Sequence, residues 1–154
     1  MGGSQFLLRL RSSVRNVVLL CGPPGAGKTT EARRSGLAVY DRDDPEWLSE
    51  RHFADALKRL ADDPAARAVV IRSAATSSAR RRAARMVRAT DTFLISAPRE
   101  ELMHRVRSRG RDVPREQAGV KHWLDSFDNT DGVRRFPGWP AVFGEGLGST
   151  SRRW

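Results

Sequence analysis

The segment Gly22-Pro23-Pro24-Gly25-Ala26-Gly27-Lys28-Thr29 matches the pattern G-x-x-x-x-G-K-[ST], and no other feature of the 154-residue chain restricts its fold as strongly. The pattern has physical content only between a buried strand and a helix. Here it follows the apolar run Asn16-Val-Val-Leu-Leu-Cys21 and enters a helical stretch that lasts to about Arg34, before Ser35-Gly36. A run that is apolar at successive positions reads as a strand covered on both faces. Gly22, Gly25 and Gly27 allow backbone turns closed to residues with a Cβ, so consecutive N–H groups converge on one anion. The helix that begins at Lys28 adds its positive end. Lys28 is then placed to bridge the β- and γ-phosphates of ATP, and the Thr29 hydroxyl to ligate a magnesium ion. Pro23, Pro24, Ala26 and Thr30 complete the expected nucleotide contacts.

Further along, strand and helix signals alternate. Strands are expected over 37–40, 68–71 and 92–95, and helices over 52–61, 77–89, 98–108 and 115–127. Asp62-Asp-Pro64 and the run Arg109-Gly-Arg-Asp-Val-Pro114 interrupt the helical pattern, and Phe136-Pro-Gly-Trp-Pro140 reads as packed coil. Such alternation predicts an α/β fold of three layers, α/β/α, with a mainly parallel sheet of four or five strands. One domain over 16–143 is expected, with an N-terminal arm at 1–15, an arginine-bearing lid at about 105–114 and a flexible tail at 144–154.

Composition narrows the setting. No apolar run approaches the ~20 residues that cross a bilayer, and the single cysteine, Cys21, cannot form an internal disulfide. A cytoplasmic protein without a membrane partner is expected. Cys21 itself reads either as a small apolar residue at a strand end or as a redox switch. The formal net charge is +10, and the 28 basic residues include only three lysines. Between Arg72 and Arg115, twelve arginines face four acids, so this stretch holds +8 of the excess. A stripe of that sign attracts polyanions, nucleic acid first among them. Within it, Arg80, Arg81, Arg82, Arg85 and Arg88 read either as a track for a phosphate backbone or as a solvated helix face.

Phosphate loops serve several enzyme classes, and the remaining residues must discriminate. The chain is short for a motor domain and carries no N-K-x-D guanine-reading motif. The second strand runs into Asp41-Arg42-Asp43-Asp44, which places carboxylates at the carboxyl edge of the sheet, where an acceptor hydroxyl approaches the γ-phosphate. Arg105 and Arg109, four apart, share a helical face and can reach a transferring phosphoryl group together. These features favour a small kinase. Asp41, Asp43 and Asp44 are the carboxylates placed at that edge. All three also suit helix capping ahead of Pro45-Glu46-Trp47. Trp47, Trp123 and Trp139 either stack a base or pack internally. His52, His104 and His122 lack metal-ligand spacing.

The succession of Gly-Pro-Pro-Gly-Ala-Gly-Lys-Thr-Thr, a strand ending in Asp-Arg-Asp-Asp, and Arg109-Gly110 with Val113-Pro114 resembles the kinase domain of phage-type polynucleotide 5′-hydroxyl kinases. More broadly it is similar to the adenylate-kinase-like P-loop kinases, over about residues 16 to 128. The resemblance implies phosphoryl transfer from ATP to the 5′-hydroxyl of a nucleic acid. By that resemblance Asp43 is the base and a candidate magnesium ligand, with Asp41 and Asp44 as alternatives for its role, Arg109 is the lid arginine on the phosphates, and Asp41, Arg42 and Asp44 are candidate acceptor contacts. Two positions depart from the family. Glu46 stands where those kinases carry a basic residue, and Ile71-Arg72-Ser73-Ala-Ala-Thr76 lacks their carboxylate after the third strand. Arg72 is a candidate replacement for the missing basic group. A small-molecule kinase, and a nucleic-acid-binding ATPase subunit without kinase activity, are the competing readings.

Overall fold

The computed structural model describes residues 14–144. The arm expected at 1–15 and the tail expected at 144–154 therefore lie outside the described residues, apart from 14, 15 and 144. Among the described residues five strands form one sheet: β1 (Asn16–Cys21), β2 (Ala38–Asp41), β3 (Arg67–Arg72), β4 (Asp91–Leu94) and β5 (Arg134–Arg135). Their order is β2-β3-β1-β4-β5, with every pairing parallel. Six helices among the same residues accompany them: α1 (Lys28–Arg34), α2 (Glu50–Asp62), α3 (Ser77–Val87), α4 (Arg99–Arg109), α5 (Val113–Ser126) and the short α6 (Trp139–Val142).

β1 lies at the centre, and Val17, Val18, Leu19, Leu20 and Cys21 are fully buried. Their alternation divides the core into two layers. Val17, Leu19 and Cys21 join Ala68 and Val70 against Phe53 and Leu57 of α2 and Ala83 and Val87 of α3. Val18 and Leu20 join Val69, Ile71 and Phe93 against Ala32 of α1 and Trp139 of α6. Each buried Val or Leu contributes about 1.5–3 kcal/mol over its exposed state, which explains why this strand has no polar face.

Where elements meet, a few side chains hold the backbone. Arg15, just before β1, donates to the carbonyls of Asp63 (3.0 Å), Val87 (2.7 Å) and Arg88. One guanidinium thereby serves the carboxyl ends of both α2 and α3, where helix dipoles favour a cation. Nothing in the sequence around Arg15 signals this.

The structure shifts several expected boundaries. β2 includes Asp41, one residue beyond the expected end. α3 stops at Val87, before the expected residue 89, because Arg88 turns left-handed at φ 51°. α5 starts at Val113 and takes Pro114 into its first turn, with the Asp112 carboxylate accepting from the Arg115 N–H. β5 falls in a stretch that reads as coil. The expected lid, 105–114, is the end of α4 and its turn into α5. Behind it, Leu102, Val106 and Val120 pack on Ala26 of the phosphate loop itself.

Candidate phosphate-binding and acceptor site

The loop between β1 and α1 owes its shape to contacts that leave no space for side chains. A Cβ on Gly22 would lie 2.0 Å from the Ile95 carbonyl oxygen. Gly25 and Gly27 have φ of 81° and 93°, values that strain any residue with a Cβ. Gly27 is also the N-cap of α1. The outer side of the loop rests on the α4–α5 pair: a Cβ on Gly25 would come within 3.1 Å of the Leu102 carbonyl, and one on Gly119 within 3.2 Å of the Pro24 ring.

Lys28 Nζ donates to the carbonyls of Gly22 and, at 3.1 Å, Pro23. Burial lowers its pKa to about 8; the nearby carboxylates of Asp41 and Asp43 work against that fall, and Arg109 adds to it. Groups from α1, the end of β2 and the end of α4 thus share one electrostatic neighbourhood.

The acidic run separates into distinct roles. Asp41 accepts from the Thr29 hydroxyl at 3.0 Å through Oδ2, and from the Asp43 backbone N–H at 3.1 Å through Oδ1. Its carbonyl accepts from the Asp44 N–H at 3.0 Å and the Trp47 indole N–H at 2.9 Å. Asp44 closes a local turn by accepting from the Glu46 N–H. Asp43 is exposed, and its carboxylate accepts no hydrogen bond among the described residues. None of the three caps α2. That N-cap is Ser49, whose hydroxyl accepts from the His52 N–H at 3.0 Å, which corrects the capping alternative. Arg42 pairs with Glu50 on the surface.

On the neighbouring strand, Arg72 lies in register with Cys21 and is half-buried. Among the described residues its guanidinium has no hydrogen bond and no carboxylate within 4.0 Å. The next carbonyl, that of Ser73, accepts from the first N–H of the loop, Gly22 (3.2 Å), and from the Trp123 indole (2.7 Å). Of the two candidate arginines near the end of α4, Arg105 reaches the loop, donating to the Gly25 carbonyl at 3.1 Å while also pairing with Glu101. Arg109 pairs with Glu116 at 2.6 Å. A cavity of about 500 Å³ opens beside the loop on the α1 side, between Gly25, Thr30, Ile95, Arg105 and Phe136. Phe136 reaches it because its N–H continues the β5 pairing by donating to Leu94, a placement hidden in a stretch that reads as coil. Among the described residues no cluster of three His, Cys, Asp or Glu could hold a metal alone.

Other candidates find structural positions. Trp47 stacks on Tyr40, Trp123 on Phe127 and Trp139 on Phe143, and each indole N–H donates to a backbone carbonyl of a segment bordering the site: Asp41, Ser73 and Glu31. Cys21 is buried, which pushes its thiol up to about 12; such a thiol is inert, and the redox-switch alternative falls away. Arg80 is corrected from the surface cluster to the interior. It is 1% exposed and donates to both Asp131 carboxylate oxygens and to the carbonyls of Ala74, Ala75 and Asp128. Among the described residues no helix is long and apolar enough to cross a membrane.

No protein-family model matches the chain, and no curated protein sequence matches it. Solved structures do. The chain is similar to a gluconokinase from Sinorhizobium meliloti 1021, at 15% identity over 90% of this chain and 93% of that one, with a TM-score of 0.50. It also aligns with the YorR protein of Bacillus subtilis in complex with phosphorylated GDP (14% identity, 79% and 84% covered, TM-score 0.49) and with APE1195 (21%, 75% and 80%, 0.49). Together with the glycine-shaped loop between β1 and α1, the first likeness gives this chain the P-loop α/β fold.

Proposed function

We propose that the chain transfers the terminal phosphoryl group of ATP to an acceptor hydroxyl, and that the acceptor is the 5′ end of a nucleic acid strand. The observation that carries the transfer is the junction of Thr29 with Asp41, which sets an acidic strand end with the free carboxylate of Asp43 against a lysine-bearing phosphate loop. The concave backbone at Gly22, Gly25 and Gly27, the Lys28 ammonium and the Thr29 hydroxyl suit a magnesium-bound triphosphate. Bound there, the metal ion neutralises phosphate charge.

In this reading the acceptor hydroxyl donates to Asp43. Its oxygen forms a bond to the γ-phosphorus as the bond to the β–γ bridging oxygen breaks, the electron pair leaving on the β-phosphate. The hydroxyl proton passes to Asp43. Lys28 and Arg105 are close enough to the loop to offset charge on the transferred group. Arg109 joins them on exchanging Glu116 for phosphate, and Arg72, beside Cys21 and unpaired among the described residues, receives an anionic group of the acceptor. The fold likeness to a gluconokinase supports a kinase in general; the resemblance of the loop and Asp-Arg-Asp-Asp segments supports the polynucleotide acceptor.

The test is incubation with γ-labelled ATP and magnesium in the presence of 5′-hydroxyl DNA, 5′-hydroxyl RNA, nucleosides or gluconate. Label on an oligonucleotide is the expected result. Label confined to a small molecule replaces the acceptor, and release of free phosphate alone removes the transferase reading.

A further inference from the structure

We infer that the outer face of α3 is a binding surface for the phosphate backbone of a nucleic acid strand, distinct from the transfer site. The inference deepens the polynucleotide reading and rests on it for the identity of the partner. α3 has no acidic residue in its eleven positions. Arg81, Arg82 and Arg85 are exposed on it, and Arg88 is exposed at its end. Among the described residues Arg81, Arg82 and Arg85 have neither a carboxylate within 4.0 Å nor a side-chain hydrogen bond. This is not how the chain treats arginine throughout. Arg34, Arg42, Arg51, Arg105 and Arg109 each stand against a carboxylate. On α3 the positive charge is left free for a ligand that brings its own negative charge.

Geometry supports a strand of nucleic acid as that ligand. α3 begins at Ser77, just past the tip of β3 where Arg72 lies, and returns along the sheet to Arg88. The face therefore starts at the acceptor edge and leads away from it. Arg81 and Arg85 recur at i and i+4, about 6 Å apart along the axis at 1.5 Å per residue, and Arg88 follows at the left-handed turn that ends the helix, where it also donates to the Ala61 carbonyl at 3.2 Å. The separation of Arg81 from Arg85 is about one internucleotide step, so the two arginines can meet successive phosphates of one strand.

Beside these arginines is a cavity of about 240 Å³ between Arg81, Thr92, Gly132 and Arg134. Arg80 and Asp131 also line it, but all five guanidinium donors of Arg80 are already engaged. Among the described residues the free donors at the cavity belong to Arg81; Arg134, whose guanidinium lies over the Phe93 ring at 5.3 Å, also stands 4.0 Å from the Asp91 carboxylate. A phosphodiester group entering here meets two arginines, one of them oriented by stacking on an aromatic ring.

The experiment is fluorescence anisotropy with a 3′-labelled single-stranded oligonucleotide over a range of salt, without ATP, on the wild type and on R81E/R85E. Both residues are exposed, so the variant is expected to melt with the wild type and to bind a fluorescent ATP analogue unchanged. The expected result is at least a tenfold loss of oligonucleotide affinity, with the slope of log affinity against log salt reduced by about two, one for each arginine–phosphate pair removed. Equal affinity and slope for the two proteins overturn the inference. So does binding to phosphatidylserine vesicles with none to the oligonucleotide. Failure here and failure of the kinase reading look different. Salt-dependent, R81E/R85E-sensitive binding without phosphorylation removes only the enzyme, whereas R81E/R85E phosphorylating an oligonucleotide at unchanged KM removes only the surface.

Discussion

Thr29 on α1 and Asp41 at the end of β2 share a hydrogen bond of 3.0 Å, which ties the helix of the phosphate loop to the turn that carries Asp43. Asp41 is also bonded to Asp43, Asp44 and Trp47, so it serves as the framework of the acidic turn and leaves Asp43 free for chemistry.

That division predicts unequal effects of two similar substitutions. Asp43→Asn is expected to cut turnover by about a hundredfold or more, as removal of a general base does, with ATP affinity nearly kept. Asp41→Asn retains an oxygen to accept from Thr29 and is expected to cost turnover less. Steady-state kinetics on both variants decide the matter. A larger loss at Asp41 transfers the base's role to that residue.

Lys28 gives a pH dependence of defined sign. Burial holds its pKa at about 8, below the ordinary 10.5. Between those values the unfolded chain binds more protons than the folded one, so this group makes folding stability rise with pH from about 8 to about 10.5. Phosphate binding runs the opposite way, because it needs the ammonium. ATP affinity is expected to decline above pH 8 while the urea midpoint, relative to Lys28→Met, increases. Calorimetric titration and urea melts at about pH 7 and about pH 9.5, on either side of the lowered value, check both halves. Affinity that stays level across that interval contradicts the assignment of Lys28 to phosphate.

The same residues mark where sequence reading succeeds and where it stops. β1, the loop and α1 are contiguous, so their chemistry is written within about twenty positions. Trp123, Asp128 and Asp131 reach the ends of β3 and α3 from about fifty positions away, and no local pattern announces such pairs. β5 is two exposed arginines. Strand periodicity needs several residues to register, and this strand exists because β4 offers it a free edge. Arg80 adjoins Arg81 and Arg82 in the chain and so reads as part of a solvated cluster, although Ala83, Ala84 and Val87 at i+3, i+4 and i+7 share its face and Asp131 is brought against it.

Gly22 tests whether the cradle is steric. Its missing side chain would occupy the position of the Ile95 carbonyl, 2.0 Å away. Gly22→Ala must therefore push the loop off the end of β4 and disturb the carbonyl that Lys28 engages. Loss of ATP-analogue binding is expected, with the apolar core between α2, α3 and the sheet kept. Binding is read by titration and folding by circular dichroism. A Gly22→Ala protein that binds as tightly as wild type refutes the proposed loop geometry.

Arg80 separates the interior of α3 from its surface. Removing one partner of a buried ion pair leaves the other without compensation, at a cost of about 3–5 kcal/mol. Arg80→Ala strands the Asp131 carboxylate and the carbonyls of Ala74, Ala75 and Asp128, and the urea midpoint is expected to fall accordingly. Arg80→Lys recovers little, since three donors on a point charge cannot replace a fork of five. Arg81→Ala, one position on, is expected to stay within about 0.5 kcal/mol of wild type. The hydrogen bond from Arg80 also holds the Asp131 carboxyl below its usual range. Its contribution to stability is complete above an ordinary carboxyl pKa of about 4 and disappears as pH falls through the lowered value. The gap between wild type and Arg80→Ala should therefore narrow in acid. Equal urea midpoints at neutral pH would return Arg80 to the solvated arginine cluster beside it in the chain.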